Sequence, residues 1–83
     1  MRQVTKPTPR QVEDYAKALG QRLKELRDER GLRRAWVAEQ LGVCYHTIKN
    51  WELGKTRPWP KEVLFLANVY GVEPEKFYKG VRY

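Results

Sequence analysis

The sequence predicts an all-α fold, because apolar residues recur at helical spacing and glycine or proline separates the segments that carry them. No segment shows the alternation of a half-buried strand. The 83 residues suffice for one domain, and 41% apolar with 33% charged residues is the composition of a folded protein. We therefore expect a compact domain of five short helices around one core at residues 8–83, after a flexible basic arm at residues 1–7.

The first helix has a clear start signal. Thr8 can cap it, Pro9 suits its first position, and Gln11 stands where the partner of a capping box belongs. Apolar residues then follow on one helical face: Val12, Tyr15, Ala16, Leu19, Leu23 and Leu26. Gly20 falls within this face at a cost of about 1 kcal/mol relative to alanine. The pattern leaves open whether the first turns form a separate or frayed piece before the helix stops at Gly31.

Four further helices are predicted. They span about Arg33–Leu41, Tyr45–Leu53, Pro60–Tyr70 and Pro74–Tyr78. A glycine follows each of the first three of these helices. Pro58 and Pro60 predict a loop before the helix at Pro60–Tyr70. In the fourth helix, the residues predicted on or near the inner side are Val63, Leu64, Leu66 and Ala67.

The charge balance narrows the classes of partner. Lys and Arg number 17 against 10 Asp and Glu, a formal net charge of +7, which favours encounter with polyanions. Nucleic acid is the first candidate and an anionic membrane surface the second. The single cysteine, Cys44, excludes an intrachain disulfide and is too few for a zinc set. With no apolar run of membrane length and no signal-peptide core, we expect a cytoplasmic protein.

The block RRAWVAEQLGVCYHTIKNWEL, residues 33–53, has the features of two helices joined by a tight turn. Ala38 is small enough for a close crossing, and Gly42 suits a turn that needs a positive φ. Ile48 and Trp51, three residues apart, can hold the second of these helices against the first. The block therefore predicts a helix-turn-helix.

The second helix of this block has a polar outward face. On a helical wheel, His46, Lys49 and Asn50 point away from Ile48 and Trp51, and Tyr45 lies on the flank. Such side chains suit the edges of DNA bases, since asparagine can bond adenine N6 and N7 together. The alternative is a solvated polar face without a ligand.

The chain resembles the phage repressor and Cro-like helix-turn-helix family, without gaps from about Leu23 to Phe77. The matching residues are Leu23, Leu26, Arg27, Gly31, Leu32, Val37, Ala38, Leu41, Gly42, Val43, Thr47, Ile48, Trp51, Glu52, Gly54, Lys55, Pro58, Leu64, Leu66, Ala67, Gly71 and Val72. The resemblance implies a lambda-repressor-like fold. It also implies a regulator of transcription, more specifically a repressor that binds a pseudo-palindromic operator as a homodimer, with its third helix in the major groove of double-stranded DNA.

The resemblance assigns roles to individual residues. Those that would read base edges are Tyr45, His46, Asn50 and, nearby, Lys49. Those that would contact phosphate are Arg33, Arg34, Lys55 and Arg57. Arg27 and Glu52 match a partly buried salt bridge, which is a structural role. Candidates for a dimer contact at the last helix are Phe77, Tyr78, Val81 and Tyr83.

Three positions depart from the family pattern. Cys44 stands where a Ser or Thr cap is usual; it is either a redox-sensitive thiol or a tolerated small residue. Trp36 and Phe65 stand at positions that are usually polar, and they either pack on neighbours such as Trp59 or form a protein-contact patch. The patch would fit a second function, a protein-interaction module such as a toxin-neutralising antitoxin or an adaptor.

Enzymatic activity is not predicted. His46 is the only histidine, and no Ser or Cys has an evident base beside it. Neither a glycine-rich phosphate loop nor a paired-carboxylate motif is present. His46 and Cys44 are too few for a metal site, so the sequence predicts no cofactor and no metal.

Overall fold

The computed structural model describes residues 6–78, and these form four α-helices followed by a 3-10 helix. In chain order they are α1 (Pro9–Glu29), α2 (Arg34–Leu41), α3 (Tyr45–Leu53), α4 (Pro60–Tyr70) and the 3-10 helix Pro74–Tyr78. The described part contains no strand, so the all-α class is confirmed. None of its helices has the length and apolar character to cross a membrane. Of the predicted arm at residues 1–7, only the exposed Lys6 and Pro7 are described.

The last element differs from the α-helix expected there. Its five residues form a 3-10 helix, and the amide of Lys76 donates to the carbonyl of Glu73, three residues back, at 3.0 Å. Tight turns of this kind are common in segments too short to complete several α-helical bonds. The residue range was predicted correctly, and the helix type was not.

The start of α1 is the predicted capping box. Thr8 Oγ1 accepts from the amide of Gln11 at 3.1 Å, and Gln11 Oε1 accepts from the amide of Thr8 at 2.8 Å. The helix then runs unbroken to Glu29, so Gly20 neither splits it nor separates its first turns. Gly20 is buried, and its neighbours on α3 explain why a glycine stands there.

One apolar core joins all five elements. Its members are Leu19, Leu23, Leu26, Val37, Ala38, Ile48, Trp51, Val63, Leu66, Ala67, Tyr70 and Phe77. Burial of this set supplies most of the driving force for folding. Leu64, which was predicted on or near the inner side, does not belong to this core and is 55% exposed. On α4, residues 63, 66, 67 and 70 are the buried face, and Leu64 lies beside it.

Phe77 lies inside this core and not on the surface. It is fully buried and meets the ring of Tyr70 edge to face, with 5.6 Å between the ring centroids. The 3-10 helix packs against both α1 and α4, which turns Phe77 inward. The prediction that Phe77 contacts a second copy of the chain is therefore wrong. Tyr78 is 40% exposed, whereas Val81 and Tyr83 lie outside the described residues.

The turn between α2 and α3 is three residues long. Gly42 ends α2 with φ 70°, a left-handed conformation that glycine adopts without steric cost. The amide of Val43 then donates to the carbonyl of Ala38 at 3.0 Å, which closes the end of α2. Cys44 is the last residue of the turn and directly precedes α3. The predicted helix, turn and helix are thus all present.

Candidate nucleic-acid interface

Helix α3 has one buried side and one accessible side. Ile48, Trp51 and Glu52 are 1%, 4% and 6% exposed, and they hold the helix against the rest of the domain. Tyr45 and His46 are exposed at its first turn, while Lys49 and Asn50 are half-buried further along. The helix therefore presents four polar side chains on the side away from the core, as the helical wheel predicted.

Glu52 is the centre of a buried ionic network that joins three helices. Its Oε2 accepts from Arg27 Nε at 2.6 Å, and its Oε1 accepts from Arg27 Nη2 at 3.1 Å. Arg34 Nε donates to the same Oε1 at 2.8 Å. Arg27 lies on α1, Arg34 on α2 and Glu52 on α3. The ion pair expected between Arg27 and Glu52 is present, and Arg34 joins it.

The network stabilises the charged form of both guanidinium groups and holds them by hydrogen bonds. The hydrogen bond to Glu52 raises the pKa of Arg27, despite the opposing effect of burial. Hydrogen bonds to Tyr45 and Glu52 raise the pKa of Arg34. Arg27 also donates from Nη1 to the carbonyl of Leu32 at 2.7 Å, which ties the loop between α1 and α2 to the same cluster. Two cations thus share one carboxylate, and positive charge remains beside α3.

Arg34 links this buried network to the accessible face of α3. Its Nη1 lies 3.5 Å from the hydroxyl of Tyr45, and the ring of Tyr45 meets that of His46 edge to face with centroids 5.8 Å apart. Arg34 thus contacts both the buried Glu52 and the exposed Tyr45.

The second role of Arg34 was not foreseen from the sequence, which assigned it to phosphate alone. Its neighbours in the helix carry the signal that could have shown it. Positions 34, 37, 38 and 41 form one helical stripe, and Val37 and Ala38 in that stripe are buried. An arginine at the start of a buried stripe requires an acidic partner nearby, since an unpaired charge there is costly.

The four candidates for phosphate contact lie on both sides of α3 in the sequence. Arg33 is exposed at the start of α2, and Lys55 and Arg57 are exposed in the loop after α3. Arg33, Arg34 and Arg27 line a shallow concavity of about 390 Å³ together with Tyr45. Accessible positive charge therefore stands at the start of α2 and after α3, with Tyr45 bordering the first of these areas.

Cys44 offers no side-chain cap to α3. Its thiol makes no capping hydrogen bond; the backbone carbonyl of Cys44 accepts from Thr47 at 2.9 Å instead. The thiol is exposed. Within residues 6–78, no group of three His, Cys, Asp or Glu side chains could hold a metal ion.

The unusual aromatic residues are accessible. Trp36 is 43% exposed, Phe65 48% and Trp59 75%. Phe65 and Trp59 line a common groove of about 310 Å³ with Leu41, and Lys61 Nζ lies 5.9 Å from the centre of the Phe65 ring. Phe65 thus borders the same groove as Trp59, while Trp36 does not line it.

Two helices joined by a glycine turn, the second with a buried apolar side and an accessible polar side, define a helix-turn-helix protein. The chain belongs to the helix-turn-helix domain family, whose sequence profile matches residues 18–77. That match covers α2, α3, α4 and most of α1. It confirms the resemblance drawn from the residues themselves.

Two relatives carry names that state a role. The HTH-type transcriptional regulator DdrOP3 of Deinococcus deserti is 34% identical over 65 residues, which are 78% of this chain and 50% of the relative. The SPbeta prophage-derived uncharacterized HTH-type transcriptional regulator YonR of Bacillus subtilis is 33% identical over 61 residues, 74% of this chain and 56% of the relative. The chain thus spans about half the length of each.

A solved structure shares the fold. The restriction-modification controller protein C.AhdI from Aeromonas hydrophila superposes with a TM-score of 0.71 at 29% identity. The superposition covers 75% of this chain and 94% of that protein. The helix-turn-helix fold of this chain is therefore one that this controller protein also adopts.

Proposed function

We propose that this chain is a sequence-specific regulator of transcription that binds double-stranded DNA with α3 in the major groove. The observation that carries the proposal is the position of Tyr45, His46, Lys49 and Asn50 on the accessible side of α3. A helix that enters the major groove needs polar side chains that face outward to reach the base edges and a firm attachment to the rest of the domain behind them. Ile48, Trp51 and Glu52 supply that attachment.

The four side chains offer chemistry that discriminates between bases. The amide of Asn50 can donate to N7 or accept from N6 of adenine, and Lys49 can donate to the O6 and N7 acceptors of guanine. Tyr45 and His46 lie at the first turn of α3, the end that helix-turn-helix proteins bring to the base edges. We assign base reading to these residues.

Contacts to the DNA backbone fall to the flanking cations. Arg33 before α2, with Lys55 and Arg57 after α3, can neutralise phosphates on either side of the recognition helix. Arg34 keeps a smaller part of this role, because one of its nitrogens is committed to Glu52. The net charge of +7 adds an attraction that does not depend on sequence.

The finer parts of the proposal concern the oligomeric state, the location and whether the chain represses or activates transcription. We propose a homodimer on a pseudo-palindromic operator in the cytoplasm, with half-sites about 10 bp apart, acting as a repressor. The resemblance to phage repressors supports the dimer, the operator and repression, and the exposed Tyr78 is available for a subunit contact.

Selection of bound sequences from random duplexes, followed by sizing of the complex, tests this proposal. The expected result is a consensus with two related half-sites and a complex of two chains per duplex. Failure to enrich any consensus would contradict sequence-specific binding. A single enriched half-site with one chain per duplex would contradict only the dimer.

A second candidate function is a protein-interaction module, such as an antitoxin or an adaptor. It is favoured by the accessible rings of Trp36, Phe65 and Trp59, since exposed apolar groups of this size often mark protein contacts. Affinity purification from the native cell, with Phe65→Ser as the comparison, tests it. A stoichiometric protein that is retained by the unaltered chain and lost with Phe65→Ser would support this function. Retention by both chains, or no such protein, would contradict it.

A further inference from the structure

A cavity of about 440 Å³ lies between α1, the loop after α3 and the end of the 3-10 helix. Its walls include three aromatic rings, those of Tyr15, Trp59 and Tyr78. Lys55 and Arg57 are also among the lining residues. Sites for small organic ligands typically have volumes of roughly 300–1,000 Å³, so this cavity can receive a molecule of one or two rings.

The composition of the walls selects a class of ligand. Two cations line the cavity and no carboxylate does, which favours an anion. Aromatic rings favour a planar partner, because flat rings stack or meet edge to face with tyrosine and tryptophan. Leu19, which is buried, and Pro58 give the cavity an apolar inner surface. A planar ring that carries an anionic group satisfies both requirements.

We propose that this cavity binds a small planar anion of the class that includes aromatic carboxylates and nucleoside monophosphates. The ring of the ligand contacts Trp59 and the tyrosines, and its anionic group bonds to Lys55 and Arg57. The cavity lies apart from the accessible face of α3, since none of Tyr45, His46, Lys49 and Asn50 lines it.

Binding there has a consequence for DNA. Lys55 and Arg57 are also the cations that we assign to DNA phosphate after α3, and a bound anion withdraws them from that role. The ligand therefore lowers the affinity for DNA, and this part of the inference rests on the proposed function. The domain would then respond to a small molecule through its own DNA-binding surface.

The site is tested first without DNA, with amide chemical shifts of the full chain recorded during titration. The probes are salicylate and adenosine monophosphate, with adenosine and inorganic phosphate as partial ligands. The expected result is saturable shifts around residues 55–59 with at least one of the two complete probes, and binding about tenfold weaker or more for both partial ligands. Which complete probe binds distinguishes a carboxylate site from a phosphate site.

Variants of the cavity residues, compared with variants elsewhere on the surface, show whether the probe binds in the cavity. Trp59→Ala and Arg57→Ala each remove an exposed side chain of the cavity and should weaken binding about tenfold. Trp36→Ala and Lys24→Ala remove an exposed tryptophan and an exposed cation elsewhere, and should leave it unchanged. Absence of saturable shifts with either complete probe would overturn the site. Equal binding by the Trp59→Ala and Trp36→Ala chains would overturn it as well.

The effect on DNA is measured separately, as the Kd for a selected duplex with and without saturating probe. A Kd that rises severalfold supports the competition, and an unchanged Kd overturns the competition while the cavity stands. A chain that binds the probe but selects no DNA sequence would refute the proposed function and not the ligand site.

Discussion

Gly20 of α1 lies directly against the backbone carbonyl of Trp51 at the end of α3. A Cβ atom on residue 20 would stand 2.6 Å from the carbonyl oxygen of Glu52 and closer still to that of Trp51. Gly54 makes a similar approach from the other side, where a Cβ would stand 2.8 Å from Cα of Lys17. Two glycines thus set how closely α3 approaches α1.

The close approach predicts that Gly20→Ala destabilises the protein. Alanine favours a helix by about 1 kcal/mol over glycine, but here its methyl group meets backbone atoms that cannot rotate away. We expect a net loss of about 1–3 kcal/mol in the free energy of unfolding, measured by urea denaturation. Gln21→Ala, at the next and exposed position, is the control and should change stability by less than about 0.5 kcal/mol. A Gly20→Ala chain as stable as the unaltered one would show that the helices do not meet as described.

The network around Glu52 predicts a larger loss for Glu52→Gln. The amide keeps the shape of the side chain but removes the only anion that pairs with the half-buried Arg34 in the described residues, and it leaves the buried Arg27 with only the exposed Asp28, whose Oδ1 lies 3.5 Å from Arg27 Nη1. Removal of one partner of a buried ion pair costs about 3–5 kcal/mol, and we expect a loss in that range by urea denaturation. Glu39→Gln, on the exposed side of α2, is the matched control. Similar stability for the two variants would argue against a structural role for the network.

The missing cap at Cys44 predicts that Cys44→Ser stabilises α3. The backbone at residue 44 already has the extended conformation of a cap, with φ −73° and ψ 150°, but its thiol makes no capping bond. A serine hydroxyl can accept from an amide of the first turn, and caps of this kind contribute about 1 kcal/mol. Thermal unfolding should show a higher Tm for Cys44→Ser than for Cys44→Ala. Equal Tm values for the two variants would contradict the prediction.

Burial of Tyr70 predicts a loss of stability in alkali. Removal from water raises the pKa of its phenol above the value of about 10 that tyrosine has in the unfolded chain. The unfolded chain therefore releases this proton first as the pH rises past 10, and the folded state loses stability by up to about 1.4 kcal/mol per pH unit. Below pH 10, both states hold the proton and the effect is absent.

Tyr70→Phe should remove this contribution, so its free energy of unfolding should fall less steeply between about pH 10 and pH 12. Tyr78→Phe, which alters an exposed tyrosine, serves as the control and should keep the steeper fall. The measurement is urea denaturation at a series of pH values. Parallel pH profiles for the Tyr70→Phe and unaltered chains would contradict the prediction.

Local signals in the sequence were sufficient to predict where the helices of this fold begin and end. Thr8 and Gln11 form the predicted capping box, and Gly42 ends α2 at the predicted residue. The helices begin and end within about two residues of their predicted limits, because caps and breakers act on neighbours in the chain. The inward direction of Ile48 and Trp51 followed from periodicity alone.

Relationships between elements were harder to predict. Gly20 resembles a flaw in an isolated helix, and only the position of α3 shows that a side chain cannot fit there. Arg34 was assigned to phosphate because its acidic partner lies 18 residues away on another helix. The resemblance implied a dimer contact at the last helix, and the apolar character of Phe77 does not by itself distinguish a core within the chain from an interface between chains. In each case the deciding contact joins residues that are distant in sequence.

The central claim is that α3 reads bases, and the effects of Asn50→Ala and Lys55→Ala on binding to selected and scrambled duplexes test it most directly. Asn50→Ala should weaken binding to the selected duplex by about 1–3 kcal/mol and to the scrambled duplex little. Lys55→Ala should weaken both alike and reduce the slope of log K against log salt by about one. Equal losses on the two duplexes for Asn50→Ala would contradict a base-reading role for α3.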